Sequence, residues 1–136
     1  MLKKNIKYID YDGVERDEDF YFNLSKAELM EMQTSMEGGF KAYLEKIVKA
    51  LNVKEIMKVM KEIILKAYGV KSEDGKRFIK SEELSIAFSQ TEAYSNLYME
   101  LCTNADKAAE FVNGIMPAGL SEIQNNDNIV PMQKEE

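Results

Sequence analysis

The chain has 136 residues, enough for one domain, with no histidine, no tryptophan and a single cysteine, Cys102. These absences exclude imidazole-based catalysis, histidine metal ligation, an intrachain disulfide and a thiolate zinc cluster. The net charge of −6 disfavours general nucleic-acid binding, while the 45% of apolar residues suffice for a core.

That net charge hides a pattern. Residues 40–80 carry +6 and residues 81–136 carry −8, so a basic middle is followed by an acidic C-terminal half. Such blocks act as solvated helix faces or as mutually attracting surfaces. No stretch approaches the ~18–20 apolar residues of a membrane helix. Residues 6–12 are too polar for a signal-peptide core, and the lone thiol suits a reducing compartment, so a cytosolic protein is expected.

Residues 4–24 read as a β-hairpin. Ile6, Tyr8, Ile9 and Tyr11 precede Asp12-Gly13, a strong two-residue turn signal, and the return run Asp19-Phe20-Tyr21-Phe22-Asn23-Leu24 favours a strand. Phe20, Phe22 and Leu24 share one face of the pleat. A lone hairpin is marginal in water, so that face must cover helices or a partner. The acidic cluster Glu15, Asp17, Glu18 and Asp19 is expected at the turn.

From Ser25 the pattern is helical. Ser25-Lys26-Ala27-Glu28 is a capping box, in which hydroxyl and carboxylate each accept from an otherwise orphaned amide. Leu29, Met32 and Met36 follow on one face with Met30 beside it, and Gly38-Gly39 ends the helix. Phe40, Leu44, Ile47, Val48 and Leu51 form the stripe of a second helix. A third carries Ile56, Val59, Met60, Ile63, Ile64 and Ala67 on one side and Lys54, Lys58, Lys61 and Lys66 away from it. Gly69 reads as its stop, and Lys71 to Lys76 as a polar loop around Asp74-Gly75. Ser81-Glu82-Glu83 opens a helix with Leu84, Ala87 and Phe88 inward, and Ser89-Gln90-Thr91-Glu92 breaks it. Tyr94, Leu97, Tyr98 and Leu101 form the next stripe. Thr103-Asn104-Ala105-Asp106 opens the last helix, which buries Ala108, Phe111, Val112 and Ile115. The expected fold is therefore mainly α: a single domain over residues 1–117, with the hairpin at 4–24 packed on a bundle of five to six short helices. Residues 118–136 form a polar, flexible tail.

Motifs for chemistry fail on spacing. The segment from Gly69 to Arg77 has its first glycine one residue too early for a phosphate loop, and Arg77 stands where Ser or Thr is needed. Asp10-Tyr11-Asp12-Gly13 places its glycine too soon for a calcium loop. Carboxylate pairs such as Glu82 and Glu83 lie in polar stretches that would not raise a pKa. Cys102 has no histidine to activate it and reads as an inert thiol. No catalytic, metal or cofactor residue is expected. What remains is a set of nine methionines, whose flexible side chains suit cores and adaptable binding surfaces alike.

Several segments, in order, resemble a known family. They are Tyr11-Asp12-Gly13 with Glu18-Asp19-Phe20-Tyr21-Phe22-Asn23-Leu24-Ser25-Lys26-Ala27-Glu28-Leu29; Glu37-Gly38-Gly39; Lys66-Ala67-Tyr68-Gly69; Asp74-Gly75-Lys76-Arg77-Phe78-Ile79-Lys80-Ser81; Phe88-Ser89-Gln90-Thr91-Glu92-Ala93-Tyr94; and Phe111-Val112-Asn113-Gly114-Ile115-Met116-Pro117. Together they resemble the tail assembly chaperones of long-tailed bacteriophages and prophages of Gram-positive bacteria; the tail after Pro117 falls outside the resemblance. The resemblance implies a non-enzymatic protein that binds and solubilises the tape-measure protein in the host cytoplasm. It also implies help in recruiting tail-tube subunits and absence from the mature virion. Many such chaperones exist in two lengths, the longer made by a ribosomal frameshift, and this chain looks like the shorter form.

Two contact surfaces follow as expectations. The partner surface comprises Phe20, Phe22, Met30, Met32 and Met36, from the hairpin and the outer side of the first helix. A self-association surface comprises Lys54, Lys58, Lys61 and Lys66, meeting the acidic C-terminal half of another copy head to tail. The alternative reading is a small phage regulatory or nucleic-acid-binding protein using the basic segment 54–80.

Overall fold

The computed structural model describes residues 1–34, 39, 42 and 53–117. The expected second helix (all but Ala42 of it), Met36 and the tail at 118–136 lie outside the described residues.

The hairpin forms, with β1 (Leu2–Ile9) antiparallel to β2 (Glu15–Phe22). Its loop is one residue longer than the expected two-residue turn. The Asp10 amide donates to the Val14 carbonyl and the Gly13 amide to the Asp10 carbonyl, at 2.9 and 3.0 Å. Three residues are thus enclosed, and Gly13 takes the positive φ of 82° that such a loop needs in its last position. The acidic cluster is not confined to the turn. Asp17, Glu18 and Asp19 lie along β2, opposite Lys7, Ile6 and Asn5.

A mainly α fold is overturned. The sheet has four antiparallel strands in the order β1-β2-β3-β4, and with the five described helices this makes a mixed α/β arrangement. Helix α1 (Lys26–Thr34) follows the hairpin, and α2 (Val53–Ala67) runs directly into β3 (Tyr68–Lys71), which pairs with β2 through Tyr21 opposite Gly69 and Phe22 opposite Tyr68. The two-residue strand β4 (Phe78–Ile79) completes the sheet. Asp74-Gly75 is therefore a second hairpin turn, closed by the Gly75 amide on the Ser72 carbonyl at 2.9 Å with Gly75 at φ 75°. Strands this short carry too few residues for alternation to show. Gly69 is no helix stop either. A Cβ there would lie 2.6 Å from the Phe78 ring and 2.8 Å from the Ile79 carbonyl oxygen, so the close approach of β4 demands glycine.

The remaining helices are α3 (Glu82–Ser89), α4 (Glu92–Thr103) and α5 (Ala105–Ile115). The expected break at 89–92 is present. Thr91 caps α4, its hydroxyl accepting from the Tyr94 amide at 3.1 Å, and Ser81 and Asn104 cap α3 and α5 in the same way. In α3 the inward side differs from expectation. Ala87 is exposed, while Ser85 turns in and donates to the Leu65 carbonyl at 3.1 Å.

One face of the hairpin covers the helices. Ile6, Phe22 and Leu24 join Val59, Met60, Ile63, Ile64 and Ala67 of α2, Leu97 and Leu101 of α4, and Phe111 and Ile115 of α5 in one core. Phe22 lies in an aromatic cluster, with ring centroids 5.8 Å from Tyr68, 5.8 Å from Phe88 and 5.2 Å from Phe111. Phe88 stacks flat on Tyr68 at 4.3 Å. The chain after β2 is fastened at both sides, by the Asn23 amide on the Ala67 carbonyl and the Leu24 amide on the Ile115 carbonyl.

Candidate functional site

The residues expected to meet a partner divide sharply. Phe22 is fully buried, and Phe20 is half-buried between Phe88, at 5.3 Å, and Tyr8, at 6.4 Å. Phe22 belongs to the protein's own core, and Phe20 packs against that core while staying partly exposed. Met32 is half-buried against the same core. Met30 remains on the outside of α1, 55% exposed. Lys54, Lys58, Lys61 and Lys66 are all exposed, on the side of α2 away from its buried residues.

The capping box at the start of α1 is formed as expected. The Ser25 amide donates to Glu28 Oε1 at 2.9 Å, and the Glu28 amide to Ser25 Oγ at 3.1 Å. Its electrostatic partner is not adjacent in sequence. Lys80 Nζ reaches both Glu28 oxygens at 2.8 Å and the Asn23 carbonyl at 2.7 Å, tying the segment before α3 to the root of α1. Burial would push the Glu28 carboxyl up. The hydrogen bonds from Lys80 and the Ser25 amide, with the Lys80 charge, outweigh it and hold the group below its ordinary value. Nothing local in the sequence marks Lys80 for this role, because 52 residues separate it from Glu28.

A second ordered surface, missed from sequence, is the hairpin tip. Asp10 Oδ1 accepts from the Asp12 and Val14 amides, each at 2.9 Å, and Oδ2 takes Arg16 Nε at 2.8 Å. Those backbone hydrogen bonds and the Arg16 pair hold the Asp10 carboxyl below its usual range. On this loop Ile9, Tyr11 and Val14 are 59%, 77% and 47% exposed. The signal lay in the sequence: an Asp followed by Asp12-Gly13 is turn chemistry, its carboxylate accepting from backbone amides two and four residues on. Below the tip a groove opens toward α4, where Asn96 Nδ2 donates to the Lys7 carbonyl at 3.2 Å.

Cys102 is half-buried, and burial pushes its thiol up against the weaker opposing effect of a hydrogen bond with Tyr98. That is the wrong direction for a reactive thiolate. Among the described residues no group of three or more carboxylates and thiols could hold a metal ion, and no helix is long and apolar enough to cross a membrane. Among the described residues, Met30 on α1, the lysine-rich face of α2 and the apolar side chains of the hairpin tip stand exposed.

The family model for the phage tail assembly chaperone matches residues 1–136. The chain belongs to the phage tail assembly chaperone family. No curated protein and no solved structure matches it. The match spans the whole sequence, so residues 118–136, which the resemblance by segments left out, belong to the chaperone as well. That membership supports a tail assembly chaperone role.

Proposed function

We propose that this chaperone binds the tape-measure protein in the host cytoplasm, keeps it soluble, and helps recruit tail-tube subunits before leaving the assembling tail. The observation that carries the proposal is the family match over the full chain. A long helical client exposes an apolar stripe that aggregates unless covered, and reversible apolar contacts are the means to cover it. Met30, exposed on α1, supplies such a contact, whereas Phe22 is fully buried in the fold. Self-association belongs to the same proposal, with the exposed lysines of α2 as one half of the contact between copies.

Co-expression with the tape-measure protein of the same phage tests this reading. The tape-measure protein is expected in the soluble fraction only when the chaperone is present, and Met30→Lys is expected to reduce its co-purification without lowering the chaperone's own yield. A tape-measure protein equally insoluble with and without the chaperone would refute the proposal.

A further inference from the structure

We infer that the tip of the β1–β2 hairpin docks on the exposed lysine face of α2 in a second copy of this chain. The inference rests on the self-association proposed above and names the other half of the contact. Three large apolar side chains, Ile9, Tyr11 and Val14, stand exposed within six residues of one another, on a loop held by the Asp10 carboxylate. A tyrosine presented on a preorganised loop is the kind of side chain that anchors protein interfaces, because ordering it on binding costs little. Around it acid predominates: residues 10–19 contain six carboxylates against a single arginine, Arg16, which pairs with Asp10.

The chain carries the complement. On α2, Lys54, Met57, Lys58 and Lys61 fall at i, i+3, i+4 and i+7, so they share one face, and all are exposed. Met57, 41% exposed, and Val53, 65% exposed, give that face apolar ground for an aromatic ring, with ammonium groups beside it for the carboxylates. In the acidic C-terminal half, Glu100 is engaged with Lys4 of the same chain at 3.0 Å and Glu110 faces Lys107 at 3.8 Å. The tip adds exposed apolar side chains to its carboxylates, which match the Val53 and Met57 ground beside the lysines of α2. Tip and α2 face are different surfaces, so the contact is heterologous and propagates from copy to copy into a ring or an open spiral.

Sedimentation of the full chain, at low and high salt and over a concentration series, tests the inference. The wild-type chain is expected to associate at low salt and to weaken as salt rises. Tyr11→Ala with Val14→Ala is expected to weaken association about tenfold or more, as is Lys58→Glu with Lys61→Glu, with unchanged circular dichroism in both. Mixed in equal amounts, the two variants retain one intact tip and one intact helix face. They are expected to form a one-to-one dimer that grows no further. A wild-type chain that stays monomeric at low salt overturns both the inference and the self-association beneath it. A chain that associates regardless of the tip variant overturns the inference alone. So does a tip variant that loses the tape-measure protein while self-association is kept.

Discussion

The root and the tip of the same hairpin carry similar side chains and opposite fates. Phe20 and Phe22 at the root meet Phe88, Tyr68 and Phe111, whereas Tyr11 at the tip is 77% exposed. The difference lies in what stands beneath each. Among the described residues, Tyr11 and Val14 at the tip are not part of the core that Phe22 joins. An aromatic run in a strand is therefore evidence of burial only where another element can reach it. The largest test of this contrast is Phe22→Ala, which removes a ring packed on three others. It is expected to destabilise the fold by about 3–5 kcal/mol in urea unfolding. A loss below about 1 kcal/mol would mean that Phe22 is not part of the core.

Two of the hairpin glycines, Gly69 and Gly13, sharpen the same contrast, because each is needed for a different reason. At Gly69 the obstacle is space: an added methyl meets the Phe78 ring and the backbone oxygen of Ile79, and backbone cannot swing aside. Gly69→Ala is expected to cost about 1–3 kcal/mol, with the pairing of β3 and β4 disturbed. At Gly13 nothing lies within 4 Å, and the obstacle is the positive φ alone. Gly13→Ala is expected to cost about 1–2 kcal/mol, and Gly13→Asn less, since asparagine tolerates that region. Equal costs for alanine and asparagine would show that conformation is not what selects glycine there.

The Lys80–Glu28 pair is a tie at the root, and its effect follows pH. The folded-state carboxyl sits below its ordinary value of 4.5, so the unfolded chain binds the proton more readily. Its contribution is present above that ordinary value and is lost as pH falls through the lower folded value. Glu28→Gln is expected to remove this acid dependence, leaving a shallower decline of stability below about pH 4.5, and to cost about 1 kcal/mol at neutral pH, since the pair is partly solvent-screened. Parallel stability–pH curves for wild type and variant would remove Glu28 from that account.

Much of the fold was legible in sequence, and the gaps share a cause. The capping box at Ser25 and Glu28, the break at Thr91 and the stripes of α2, α4 and α5 are set by neighbours within a few residues, and they appear as the spacing predicts. Strands β3 and β4 escaped because four and two residues are too few to show alternation. The same Asp-Gly signal that marks the first hairpin also stands at Asp74-Gly75, in a polar segment between two strands too short to be recognised. For the candidate site, exposure was legible for the lysines of α2, whose periodicity fixes their side. It was not legible for Phe22 against Tyr11, because the rings that bury Phe22 stand far along the chain, at Tyr68, Phe88 and Phe111.

The smallest expected effect is also the one that most directly separates a fold residue from a contact residue. Tyr11→Ala removes a large ring, yet the ring is mostly in water, so stability at low protein concentration and high salt is expected to move by no more than about 0.5 kcal/mol. At low salt and rising concentration the outcome should diverge. Association stabilises the folded state by mass action, so the wild-type chain gains apparent stability that the variant lacks. A gap between the two that opens with concentration assigns Tyr11 to the contact between copies. A constant gap at every concentration assigns it to the fold of the hairpin itself, and the distinction between root and tip would then collapse.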